Sequence, residues 1–157
     1  MMPRRKAVTA EELMRSLRAD PEWSARGAAR DAERAAAGHR LAVEEAPLLA
    51  DLKDAGMQVG SVYDFVNSGG APPEVVPVLV EHLSRPYHPR IREGIIRSLT
   101  VRHARELAYA PLVEAFESER EPNMRWVIAN ALSVLSSLDE FRDLLGIDAY
   151  ADLFSRR

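Results

Sequence analysis

Two stretches of this chain superimpose without a gap at a constant offset of 33 residues, and no other feature narrows its fold as far. Leu79-Val80-Glu81-His82-Leu83 lies over Leu112-Val113-Glu114-Ala115-Phe116. After the linker, Pro89 to Leu99 (PRIREGIIRSL) lies over Pro122 to Leu132 (PNMRWVIANAL), with Pro, Arg, Ile and Leu recurring at identical places. A fixed period of this length marks stacked helix pairs, in which each unit shares its core with its neighbours. Helical spacing puts Ile91, Ile95, Ser98 and Leu99 on one face, and Met124, Ile128, Ala131 and Leu132 on the corresponding one. Each second helix therefore presents an apolar side to its first helix, and the small Ser98 and Ala131 permit close approach. Pro77 and Pro111 fall near the starts of the first helices, and Pro89 and Pro122 just before the second ones, where a missing amide costs little.

Around this repeat the chain divides into a basic tail over 1–8, expected to be disordered, a helical arm over 9–46 and the repeat domain over 47–157. Thr9 and Glu12 have the spacing of a capping box, so a short helix runs to about Ala19, where Asp20-Pro21 breaks it. Glu22 to Glu45 is rich in Ala, Arg and Glu and holds pairs such as Asp31 and Arg34. Its apolar residues Trp23, Ala29, Ala36, Leu41 and Val43 make no continuous stripe. From Pro47, Leu48, Leu49 and Leu52 suit one helix, ended by Asp54-Ala55-Gly56, and Val59, Val62, Phe65 and Val66 suit a second. These form a degenerate unit before the loop from Asn67 to Pro73. At the far end Leu138, Phe141, Leu144, Leu145, Ile147 and Leu153 suit one or two closing helices.

Composition agrees and removes several function classes. At 157 residues, 46% hydrophobic and 29% charged, the chain has the profile of one globular domain. A net charge of −3 gives no overall basic field, and without cysteine there is no disulfide framework, thiol nucleophile or thiolate metal site. The basic start is not followed by an apolar core of signal-peptide type, and no apolar run is long enough for a bilayer. A cytoplasmic location and no membrane partner are expected.

The Ile91-Arg92 and Met124-Arg125 pairs, each followed by small or apolar residues at the next turns, resemble the second helix of the HEAT repeat. The resemblance covers two units well, from about Pro73 to Ser137, and leaves the first 46 residues outside. It implies an all-α fold, a short right-handed α-solenoid of antiparallel helix pairs with an N-terminal helical arm. It also implies that Arg92 and Arg125 are structural, tying one helix pair to the next. Two clear units fall short of the three usually needed for a stable solenoid. The degenerate unit must then act as a cap, the arm must cover an end, or the chain must form a homodimer.

In HEAT-like arrays the second helices usually line the concave surface, so side chains facing away from the core become binding candidates. Glu93 aligns with Trp126 and Arg97 with Asn130, a two-by-two patch rich in residue types common among interface hot spots. The plainer reading is a solvated Glu93–Arg97 pair and a Trp126 half-covered by a neighbouring helix. Small bacterial HEAT-like proteins serve as adaptors, regulatory subunits or immunity proteins, so the resemblance implies a non-enzymatic scaffold that binds another protein. An alternative takes the segment from Arg85 to Arg105 as a nucleic-acid or DNA-repair surface. There Arg85, Arg90, Arg102 and Arg105 would contact phosphates, as the basic concave face does in some HEAT-like DNA glycosylases. HEAT-like hydroxylases hold iron on His-Glu dipeptides, and this sequence has none. His39, His82, His88 and His103 are read as surface or capping residues, with only His103 and Glu106 one turn apart. Tyr63-Asp64, Tyr87-His88 and Ser61 assemble no recognisable triad, and Gly69-Gly70 lacks the lysine of a phosphate-cradling loop. No catalytic set, metal or cofactor is expected.

Overall fold

The computed structural model describes residues 8–146; the tail over 1–7 and the apolar positions Ile147 and Leu153 lie outside that range. Every regular element among the described residues is helical. The helices are α1 (Ala10–Ala19), α2 (Pro21–Asp54), α3 (Tyr63–Asn67), α4 (Val76–Leu83), α5 (Pro89–Ser98), α6 (Arg105–Ser118), α7 (Pro122–Leu135) and α8 (Leu138–Leu145). Single 3₁₀ turns at Pro73–Val75 and Arg102–Ala104 lead into α4 and α6. Residues up to Ala42 make one compact unit and those from Val43 onward the other. No helix among the described residues is long and apolar enough to cross a membrane.

In the first unit the capping box forms as its spacing predicts: the Glu12 amide donates to the Thr9 hydroxyl and the Thr9 amide to the Glu12 carboxylate. Asp20 ends α1 and restarts the chain, its carboxylate accepting from the amide of Glu22 at 2.9 Å. None of the side chains from Val8 to Ala42 is buried. Helix here rests on caps and on the high intrinsic propensity of Ala, Arg and Glu, with exposed pairs such as Arg34–Asp31 adding little.

Contrary to the sequence expectation, α2 does not stop before Pro47 but runs through it to Asp54. A proline inside a helix forfeits one backbone bond and costs about 3 kcal/mol. Burial of Leu48 and Leu52, both fully inaccessible, offsets this at about 1.5–3 kcal/mol each. Just before the proline, Glu45 accepts from the Val62 amide at 2.7 Å and the Ser61 hydroxyl at 3.0 Å, so α2 is held on both sides of it. The second apolar segment shortens to α3, where Val62 and Phe65 are buried.

The two repeat units pack both internally and on each other. α4 lies against α5 and α6 against α7, while the equivalent helices α4 and α6, and α5 and α7, also pack together; α3 adds to α5 and α8 to α7. Leu79, Ile95, Leu99, Leu112, Ile128 and Leu132 are fully buried along this seam, and Ile91 and Met124 nearly so. Pro111 does not open α6. The helix starts at Arg105, because the preceding 3₁₀ turn feeds directly into it and Ala104 and Ala108 are both buried, carrying helix back across the proline. Two glycines set close approaches. Gly94 lets α3 sit on α5, since a Cβ there would lie 2.5 Å from a methyl of Val62. Gly70, at φ +116°, closes the loop before α4 against Val101.

Candidate functional site

The packing of α5 on α7 leaves an open groove of about 610 Å³ along the seam of the second helices. Arg90, Glu93 and Arg97 follow one another on α5 at helical spacing and form one wall; Asn123 and Trp126 on α7 form the other. Its floor is apolar, made by Met124 and Val127, each only 6% exposed. Tyr63 closes it from α3, its hydroxyl donating to the Arg90 carbonyl at 3.0 Å.

Three of the four side chains expected to form a binding patch, Glu93, Arg97 and Trp126, therefore line one depression, and Asn130, half-buried, lies beyond its lining. Arg97 donates from Nε to Glu93 at 2.7 Å, the intrahelical pair of the plainer reading, but with both members in the groove wall. Trp126 is 36% exposed, so its indole is offered to solvent as well as packed. Burial and the nearby Glu93 carboxylate push the Tyr63 phenol above its ordinary value, against Arg90 and Arg97. Glu121 caps α7, accepting from the amides of Asn123 at 3.0 Å and Met124 at 2.6 Å.

The arginines from Arg85 to Arg105 are divided among different partners. Arg85 donates to Glu81 at 2.6 Å and stands 3.6 Å from Asp51. Arg105 forks onto both oxygens of Glu140, at 2.6 and 3.1 Å, while also donating to the Leu135 carbonyl. Arg92 pairs with Glu119, at the turn between α6 and α7, so it reaches from one unit to the next. Its repeat equivalent Arg125 stays within its own unit, donating to the Phe116 carbonyl at 2.8 Å and stacking over the Phe116 ring. Arg90 and Arg102 have no carboxylate partner among the described residues.

One constellation escaped the sequence reading. His82, expected at the surface or as a cap, is completely buried. Its Nε2 lies 2.7 Å from the Asp51 carboxylate and its Nδ1 2.6 Å from the Tyr87 hydroxyl. An ionised Asp51 accepts from Nε2–H, and the Tyr87 hydroxyl bonds the other ring nitrogen. Burial raises the Tyr87 phenol above its ordinary value, with Asp51 and Glu44 adding to the effect and Arg85 opposing it. A signal was present: in the repeat His82 overlies Ala115, a first-helix position bounded by core residues. Of its partners, Asp51 lies 31 residues away, outside the repeat alignment, while Tyr87 is only five residues on, in the turn before α5. Among the other histidines, His88 caps α5, accepting from the Arg90 amide, and His103 bonds the Ala71 carbonyl rather than Glu106. Among the described residues no group of acidic and histidine side chains is arranged to hold a metal ion.

Compared with known protein families, with curated proteins and with solved structures, the chain matches none of them.

Proposed function

We propose that the chain is a non-enzymatic protein-interaction module, a short HEAT-like α-solenoid that receives a partner protein on the face of its second helices α5 and α7. The observation that carries this reading is the groove itself. An exposed Trp126 and the Glu93–Arg97 pair stand on its two walls above an apolar floor. Tryptophan and arginine dominate interface energetics because each joins a large contact area to directed polar groups. The solenoid reading is supported by the packing of α5 on α7 and of α4 on α6, equivalent helices one repeat apart. Asn130, one turn beyond Trp126, would extend the contact along α7.

Two of the four arginines of the nucleic-acid alternative, Arg85 and Arg105, are committed to carboxylates, while Arg90 and Arg102 have no carboxylate partner among the described residues. Spending Arg85 and Arg105 on phosphates would strand Glu81 and Glu140, which counts against this reading. Titration against duplex DNA at low salt should show no binding.

Photo-cross-linking in host extract tests the main reading. A cross-linking side chain at Asn130 should capture a discrete protein, capture should vanish on Trp126→Ala, and the same probe at the exposed Glu117 of α6 should capture nothing comparable. Full capture by a stably folded Trp126→Ala variant would remove the groove as the binding site.

A further inference from the structure

We infer that the occupant of the groove is a short extended peptide segment with an acidic side chain at one end and an aliphatic side chain beside it, an inference that rests on the interaction reading above. Dimensions argue for a segment rather than the broad face of a folded domain. From Arg90 to Arg97 the wall of α5 is about 10 Å long at 1.5 Å per residue. Extended chain advances about 3.3 Å per residue, so about three or four residues fill the seam. The volume of about 610 Å³ falls within the range of clefts that enclose small ligands, and only ten residues line it. A standard interface between folded proteins engages about 20–30 residues a side.

Charge sets the chemistry of the segment. Four ionised side chains line the groove, and three are already engaged: Glu93 with Arg97 at 2.7 Å, and Glu121 with the first amides of α7. Arg90 differs. Its guanidinium lies over the Tyr63 ring, 5.7 Å from the centroid, with no carboxylate partner among the described residues. The Tyr63 hydroxyl, bonded to the Arg90 carbonyl, holds that ring in place. A planar fork of donors is thus oriented at the amino end of the groove and free to receive a carboxylate in two-pronged fashion. Beyond it the floor of Met124 and Val127 under the Trp126 indole is apolar and suits a branched aliphatic side chain. A basic segment would meet Arg90 head-on and find Glu93 already neutralised.

The test is selection of a phage-displayed heptapeptide library on the full chain, followed by fluorescence anisotropy with the synthesised winning peptides. The expected consensus joins Asp or Glu to Leu, Ile, Val or Met. Arg90→Gln should weaken those peptides about tenfold or more, Arg90→Lys less, and Trp126→Ala about thirtyfold. Raising salt from about 0.05 to about 0.5 M should weaken them too, because the charge pair sits at an open groove. Thermal melts establish that all three variants remain folded. Peptides that depend on Trp126 but are basic, or are indifferent to Arg90→Gln, would overturn the acidic segment while leaving the interaction face standing. Failure to enrich any peptide over a blank surface, or peptides indifferent to Trp126, would overturn the segment outright. Cross-linking from position 130 would then decide separately whether a folded partner uses this face.

Discussion

Removing Arg92 should cost less than removing its partner Glu119, and the difference can be worked from the bonds each would leave behind. Glu119 gathers three donors: the Arg92 guanidinium, the Arg120 amide at 2.8 Å and the Glu121 amide at 2.9 Å. In Arg92→Met the aliphatic stem remains and Glu119 keeps both amides, so no orphaned charge is created. The pair is 26% and 12% exposed, and its loss should cost about 1 kcal/mol, at the top of the range for exposed pairs and well under the 3–5 kcal/mol of a stripped buried charge. Glu119→Ala loses the pair and the anchor of both amides at once. At about 1 kcal/mol for the two partly hydrated amides together, beyond the pair itself, the total reaches about 2 kcal/mol. In the double variant Arg92→Met should add almost nothing, giving a coupling energy near 1 kcal/mol.

Urea unfolding followed by far-ultraviolet circular dichroism reads all four corners of this cycle. Acid adds a second check. Amide bonds from Glu121, and then the Arg92 bond, hold the Glu119 carboxyl below its ordinary 4.5. Its contribution is therefore complete above that value and lost as pH falls through the lower folded-state one. The penalty of Arg92→Met should shrink in the same window. That of Arg125→Met, whose acceptor is the Phe116 carbonyl, should not change with pH. An Arg92→Met penalty equal to that of Glu119→Ala, or a coupling indistinguishable from zero, would refute the claim that this pair joins one helix unit to the next.

Three further outcomes follow from the packing. Gly94→Ala should destabilise by about 1–2 kcal/mol in the same unfolding assay despite the better helix propensity of alanine, because its Cβ meets a methyl of Val62, whose backbone amide and carbonyl are bonded to Glu45 and Ser98; a gain in stability would show that α3 yields. His82→Ala should cost about 2–4 kcal/mol by thermal or urea unfolding, since it opens a cavity and unpairs Tyr87, and a cost below 1 kcal/mol would show that the buried network is dispensable. The Glu140 carboxyl, bonded by Arg105 and by the Ser137 amide, is lowered from 4.5 to about 2. Its contribution should fade as acid titration descends from about 4.5 toward 2, and Glu140→Gln should flatten the pH dependence of the urea midpoint over that interval.

What could be read in the sequence and what could not divide along one physical line. Ile95 and Ile128, or Leu99 and Leu132, announce themselves because a repeat forces equivalent residues into equivalent burial, and all four are inaccessible. The capping box at Thr9 was legible because both of its bonds lie within three residues. The prolines misled for the opposite reason. Pro47 and Pro111 carry a strong local preference for a helix start, yet each sits inside a helix whose buried neighbours, Leu48 and Leu52 or Ala104 and Ala108, belong to the tertiary core. Local cost was visible, and the larger non-local gain was not.

The same distinction explains the polar residues. Glu45 reaches Val62, Asp51 reaches His82, and Glu44 accepts from the His88 amide, so three acids on the last turns of α2 each bind a different part of the chain downstream. They look like ordinary solvated charges in an Ala- and Glu-rich helix, and only the fold reveals them as the means by which this helix segment is fixed to the repeats. In the groove the alignment brought Glu93, Arg97 and Trp126 to notice, because it identified which positions turn away from the shared core. It left Arg90, whose aligned counterpart is Asn123, outside that patch, and the sequence offered it only as one of several arginines that could contact phosphates. What distinguishes Arg90 is a negative fact about its surroundings: the carboxylates nearest it in the groove are already spent on Arg97 and on the first turn of α7. On the interaction reading proposed above, the uncommitted cation rather than the most conspicuous aromatic would set which partner the groove accepts, while Trp126 would govern how tightly it is held.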